Sequence, residues 1–154
     1  MKKLFYLLIL LPFAMLTSCD KDDVQPFDMT LTLSGVTQVD GNFYAVAGDN
    51  VSIDNLTVSS LGDKKTTVAN VMFYVDGYPL FVNPWDCLQA LTFTTQNLPM
   101  GVNKVNVTGN LLQVGQPINN FAANFNLVIV DSEENLPAGA PAIGTYSQTV
   151  TFTK

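Results

Sequence analysis

From Asp28 to Thr153 the chain repeats one texture: short runs alternating apolar and polar residues, broken by turn residues every eight to twelve positions. Alternation with period two puts one row of side chains into a core and the other into water, which suits a half-buried β-strand and no helix. Met29-Thr-Leu-Thr-Leu33 is the cleanest example. Phe43–Ala47 and Val51–Val58 follow, the second changing phase at Asp54 and Asn55, where a bulge is expected. Val68–Val75 ends apolar on both faces, as a central strand would, and Asp76-Gly77 is a hairpin signal because both positions tolerate positive φ. Tyr78–Val82, Leu88–Thr95, Val102–Leu112 and Asn119–Val130 complete the run. No window has a convincing helical period; Pro84–Ala90 holds one turn at most. Strands and turns at this spacing predict an all-β sandwich or barrel.

The segment Asp131–Gly144 is rich in Pro, Ala and Gly and reads as a loop, after which Thr145–Thr153 resumes strand texture with Tyr146, Gln148, Val150 and Phe152 on one face. The expectation is that this last strand joins the edge of its own domain, since an unpaired apolar edge invites aggregation. Donation to a partner is the rival reading.

The first residues differ. Lys2 and Lys3 precede an apolar stretch from Leu4 to Leu16, 13 residues. As a helix that is about 20 Å, short of a ~30 Å hydrocarbon core, and Pro12 interrupts it. A basic start, a short apolar stretch and small residues at its end predict a secretory signal over 1–18. The end of that stretch, Leu16-Thr-Ser-Cys19, resembles a lipobox, where bacterial lipoproteins are cleaved ahead of a cysteine. The resemblance implies that Cys19 opens the mature chain and carries acyl groups, a membrane link through lipid. Each buried acyl methylene contributes ~0.8 kcal/mol and stable anchoring takes more than one chain, a condition a diacylated or triacylated cysteine meets. Residues 19–27 then form an acidic tether. The Asp20-Lys-Asp-Asp23 run is similar to the export tag of surface lipoproteins in Bacteroides-like bacteria, implying outer-membrane attachment and surface exposure; in enteric bacteria an aspartate after the cysteine implies inner-membrane retention instead.

Charge and residue inventory narrow the chemistry. From Cys19 onward there are five lysines, no arginine and 13 carboxylates, a formal charge of −8. Phosphate backbones need clustered cations, so a nucleic-acid partner is not expected, and there is no basic patch for anionic lipid. There is no histidine, the commonest general base and metal ligand at neutral pH. With Cys19 acylated, Cys87 has no disulfide partner, and its neighbours Trp85, Leu88 and Leu91 suit a buried, inert thiol. Asp76 and Asp86 are the least implausible carboxylate pair, yet Asp76 is explained by its turn and Asp86 by capping. Asp49, Asn50, Asp54 and Asn55 carry oxygen ligands, but Gly-Asp-Asn is also a plain turn. The expectation is a non-enzyme without cofactor or metal.

The stronger lead is aromatic. Tyr74, Tyr78, Phe81 and Trp85 fall within twelve residues around one hairpin. With Phe73 and Val75 inward, Tyr74 faces outward; flat aromatic surfaces on a rigid scaffold suit sugar rings or protein partners, while a buried Trp in the core is the plain alternative.

Ala69-Asn-Val-Met-Phe-Tyr-Val-Asp-Gly77, then Leu98-Pro-Met-Gly101 leading into Val102–Thr108, resembles bacterial immunoglobulin-like domains, in which a V-x-F-Y-V-D-G strand enters a hairpin and an L-P-x-G turn leads into a strand returning through the core. The resemblance spans residues 49–130. It implies an immunoglobulin-like β-sandwich of seven to nine antiparallel strands over residues 28–154, and a spacer, adhesion unit or carbohydrate-enzyme accessory rather than a catalyst. Two departures stand out: the family's G-x-H-x-L strand has Asn103-Lys104 in the histidine region, and the strand after Gly144 lies outside the pattern.

Overall fold

The computed structural model describes residues 24–75, 78–81 and 91–153, with 78–81 described through the backbone alone. Cys19, Trp85, Asp76, Asp86 and Cys87, and with them the signal, most of the acidic tether and the expected turn at 84–90, lie outside the described residues.

Nine strands are described: β1 (Phe27–Val39), β2 (Asn42–Val46), β3 (Asn50–Ser60), β4 (Thr66–Val75), β5 (Tyr78–Phe81), β6 (Leu91–Thr94), β7 (Gly101–Gln113), β8 (Asn119–Val130) and β9 (Gly144–Phe152). Short 3-10 turns at Thr95–Asn97 and Glu133–Asn135 are the described helical pieces. The chain is all-β, as the alternation predicts. Its strands hydrogen-bond in the order β5-β4-β7-β8-β2-β1-β3-β6, with β9 beside β1, in a mixed sheet curled into a half-barrel.

The curl follows from β1. Its first part, Phe27–Ser34, lies between β3 and β9. At Gly35 the backbone takes φ 77, and the strand continues as Thr37–Val39 beside β2. One strand therefore serves both arms of the curl, and their inner faces meet in one core. Met29, Leu31 and Leu33 of β1 join Val51 and Ile53 of β3 from one arm; Phe43 of β2, Phe73 and Val75 of β4, Val105 and Val107 of β7, and Phe125 and Leu127 of β8 come from the other. All are buried.

The expected all-antiparallel pairing fails at one contact. β2 runs parallel to β8, Phe43 opposite Leu127 and Val46 opposite Val130. The switch of β1 between arms delivers β2 in this direction, and a local alternation carries no information on strand direction. The bulge expected at Asp54 and Asn55 is present: Asn55 pairs with Thr32 and Ile53 with Leu33, so Asp54 is the extra residue. Its carboxylate accepts a hydrogen bond from the Ser34 hydroxyl at 3.1 Å. A second bulge, in β4, sets Asn70 and Val71 against Gly109 of β7, with Asn70 at φ 50, a region asparagine enters more readily than most residues.

The terminal strand β9 pairs with β1 in its own chain, from Phe27 opposite Phe152 to Leu33 opposite Tyr146. The Phe27 and Phe152 rings stack, centroids 4.5 Å apart and planes 8° apart. On the outward face, Thr30 and Thr149 hydroxyls bond at 2.7 Å, Thr32 and Ser147 at 2.8 Å, and Thr151 donates to Asp28 at 2.6 Å. Ser52 and Thr92 continue this ladder across β3 and β6 at 2.5 Å. Cross-strand hydroxyl pairs of this kind stabilise a sheet by roughly 0.2–1 kcal/mol each.

Candidate functional site

The outward face of the other arm is chemically different. In β4 the inward residues Phe73 and Val75 are buried, which fixes the backbone and turns Met72 and Tyr74 outward, 45% and 40% exposed. The strand is apolar on both faces toward its end, as its sequence reads, with Phe73 and Val75 in the core and Met72 and Tyr74 on the solvent side.

Register extends both residues into rows. Tyr74 pairs with Asn106 of β7, and Asn106 with Asn124 of β8. Met72 pairs with Thr108, and Thr108 with Ala122. Strands stand about 4.8 Å apart and successive rows about 6.8 Å, so the two rows make a patch of roughly 10 by 7 Å. The Asn106 side-chain amide donates to the Tyr74 and Lys104 carbonyls, both at 3.3 Å, leaving its oxygen as an acceptor on the surface. Asn124 and Lys104 are exposed beside it. A ladder of amides flanks the patch: Asn70 donates to Asn110 at 3.1 Å and Asn110 to Asn120 at 2.7 Å, while Asn126 donates to Asn42 at 2.8 Å across β8 and β2. Asparagine is unfavourable in a strand, and mutual hydrogen bonding between side chains on adjacent strands offsets that cost.

Of the four aromatics read from sequence, the side chain of Tyr74 alone is among those described. Tyr74 is on the patch. In β5 the backbone of Phe81 pairs with Met72 and that of Tyr78 with Val75. Trp85 lies outside the described residues, as does Cys19. Met72, Asn106 and Asn124 were missed from sequence. They join Tyr74 only through the inter-strand register, which the bulge at Asn70 shifts by one residue.

The far end of the fold is held by Asn103, in the histidine region of the immunoglobulin-like pattern. It is fully buried, and its amide donates to the Pro99 carbonyl at 2.8 Å and the Gly101 carbonyl at 3.1 Å, closing the turn before β7. Opposite, where the chain enters, Gln25 ties three segments together. Its backbone exchanges hydrogen bonds with the buried Gln113 side chain at 2.9 and 3.0 Å, its amide donates to Asp63 at 2.6 Å, and its carbonyl oxygen accepts from the Lys64 backbone at 3.0 Å. A cleft of about 460 Å³ lies at this end, lined by Val24, Phe27, Leu111, Phe121 and Phe152 with Asn119 and Asn120. Among the described residues no three His, Cys, Asp or Glu side chains gather as a metal site would require, and Asp49 and Asp54 stand apart, in a turn and in a bulge.

In comparisons with known proteins, the chain matches no family model and no curated sequence.

Proposed function

We propose that this chain is a non-catalytic lipoprotein of the bacterial envelope, anchored through Cys19, whose immunoglobulin-like β-sandwich displays the Tyr74 patch as a binding surface for sugar rings. The observation that carries the binding part is Tyr74: an outward aromatic on a strand whose neighbours Phe73 and Val75 are locked in the core, beside Met72 and a row of amides. A rigid aromatic face offers large contact area at little rotamer cost, and surface amides supply the directional donors and acceptors that hydroxyl-rich ligands need. The sandwich reading is supported by the division of β1, β3 and β6 from β4, β7 and β8 around a single core, the distribution of a Greek-key two-sheet domain. The absence of histidine from the sequence supports the non-catalytic reading.

Two measurements test it. A glycan array probed with the full chain is expected to give binding that Tyr74→Ala reduces at least about tenfold with thermal unfolding unchanged, the loss of one good hot-spot contact; glycan binding indifferent to that substitution would remove the patch. For the anchor, mass spectrometry should find an acylated amino terminus at Cys19 and Cys19→Ser should leave the membrane fraction. An intact, unmodified leader would sink it.

A further inference from the structure

Three exposed apolar side chains stand at the end of the domain where the chain enters. Leu61, 54% exposed, follows β3; Val114 and Ile118, 67% and 68% exposed, flank the β7–β8 turn. Hydrogen bonds place them there: the Leu61 backbone donates to the Pro26 carbonyl at 3.0 Å, and the Val114 backbone to the Lys65 carbonyl at 3.3 Å, next to the Gln25 junction. Single exposed apolar residues are ordinary on a protein surface, but three that are more than half exposed share the one end that carries the tether.

We infer that this end rests on the lipid bilayer, with Leu61, Val114 and Ile118 in the interfacial layer. The inference rests on the anchor proposed above. Val24 is five residues from Cys19, so the two are joined by at most about 18 Å of chain, whatever its conformation. An acylated Cys19 therefore keeps the Gln25 end within reach of the headgroups and leaves the domain only its tilt to choose. Apolar side chains at the near end set that tilt, as they do for peripheral proteins whose apolar groups enter the headgroup and acyl boundary by about 5–10 Å. The opposite end also exposes apolar side chains, Met100 and Val102 at 60% and 65%, but there the exposed carboxylates of Asp49, Asp131, Glu133 and Glu134 stand around the β2–β3 and β8–β9 connections and would have to be desolvated with them.

The test uses the full lipidated chain in phosphatidylcholine vesicles. Ile118→Trp, and separately Val114→Trp, report insertion through quenching by lipids brominated in the acyl chain; Val102→Trp, 65% exposed near the opposite end, is the comparison. Each spectrum is corrected with the unsubstituted chain, which carries Trp85. The two near-end variants are expected to lose at least about half of their added emission and Val102→Trp under about a tenth, matching the depth range of interfacial side chains. Equal quenching at both ends, in protein that floats with the vesicles, would overturn the inference and leave the anchor standing. Protein that does not float with the vesicles would remove the anchor, and this orientation with it.

Discussion

Gly35 is where β1 leaves one arm of the curl for the other, and Gly35→Ala measures what that crossing demands. Two costs add. At φ 77 an L-residue crowds its own backbone, about 1–2 kcal/mol. An added Cβ would also collide with the Asn50 carbonyl, whose backbone is held by pairing with β6, so relief requires moving a strand rather than a side chain. Forced backbone shifts in packed cores cost roughly 1–3 kcal/mol. The expected total is about 2–5 kcal/mol, a large share of the 5–15 kcal/mol that holds a domain together. Gly48→Ala separates the terms: its φ is 91, yet a Cβ there meets no atom within 4 Å, so it pays the dihedral cost alone. Urea unfolding of both variants, with m near 1–3 kcal/mol/M, should put the Gly35→Ala midpoint lower by about 0.5–2 M than that of Gly48→Ala. Equal midpoints would refute the claim that β1 crosses between the arms in contact with Asn50.

Removal of residues 144–154 strips β9 from β1 and should yield a chain that associates as its concentration rises, followed by light scattering; a strand donated to partners predicts the reverse, assembly abolished by the same truncation. Asn103→Leu leaves the Pro99 and Gly101 carbonyls without their buried donor and is expected to cost roughly 2–4 kcal/mol in urea unfolding, and a loss under about 0.5 kcal/mol would show that water reaches them. Gln25→Ala removes the side-chain bonds to Asp63 and Lys64 while leaving the backbone bonds to Gln113, with an expected cost of about 1–2 kcal/mol and faster proteolysis ahead of Phe27; unchanged cleavage would mean the side-chain half of the junction is not what holds that segment.

What was legible in sequence follows from what period two encodes. The expected strand at Asn119–Val130 has the bounds of β8, because turn residues delimit it and Phe121, Phe125, Leu127 and Ile129 keep period two along it. The phase change between Val51-Ile53 and Leu56-Val58 disclosed the bulge at Asp54, since an extra residue is the only way to keep both pairs inward. β1 was read only to Leu33: Ser34-Gly35 resembles a strand end, and that a chain continues into another sheet depends on contacts far away. The same limit hid the parallel β2–β8 pair.

The proposed anchor and the proposed patch are related by the length of β4. Thr66, paired with Gln113, belongs to the Gln25 end, and Tyr74 is eight residues farther along the strand. The β4 bulge takes up one of those, so the span matches the seven residues from Gln113 to Asn106 on β7, roughly 23 Å at about 3.3 Å per residue. Held upright on a bilayer, the fold would carry Tyr74 nearly three Debye lengths of about 8 Å from the headgroups, where surface charge is largely screened. On the proposed anchoring, a partner of the patch would stand away from the membrane, and lipid composition should change how the domain tilts without changing what Tyr74 binds. A sugar affinity that rose with anionic lipid content would contradict this geometry, because it would require the patch and the headgroups to share one electrostatic environment.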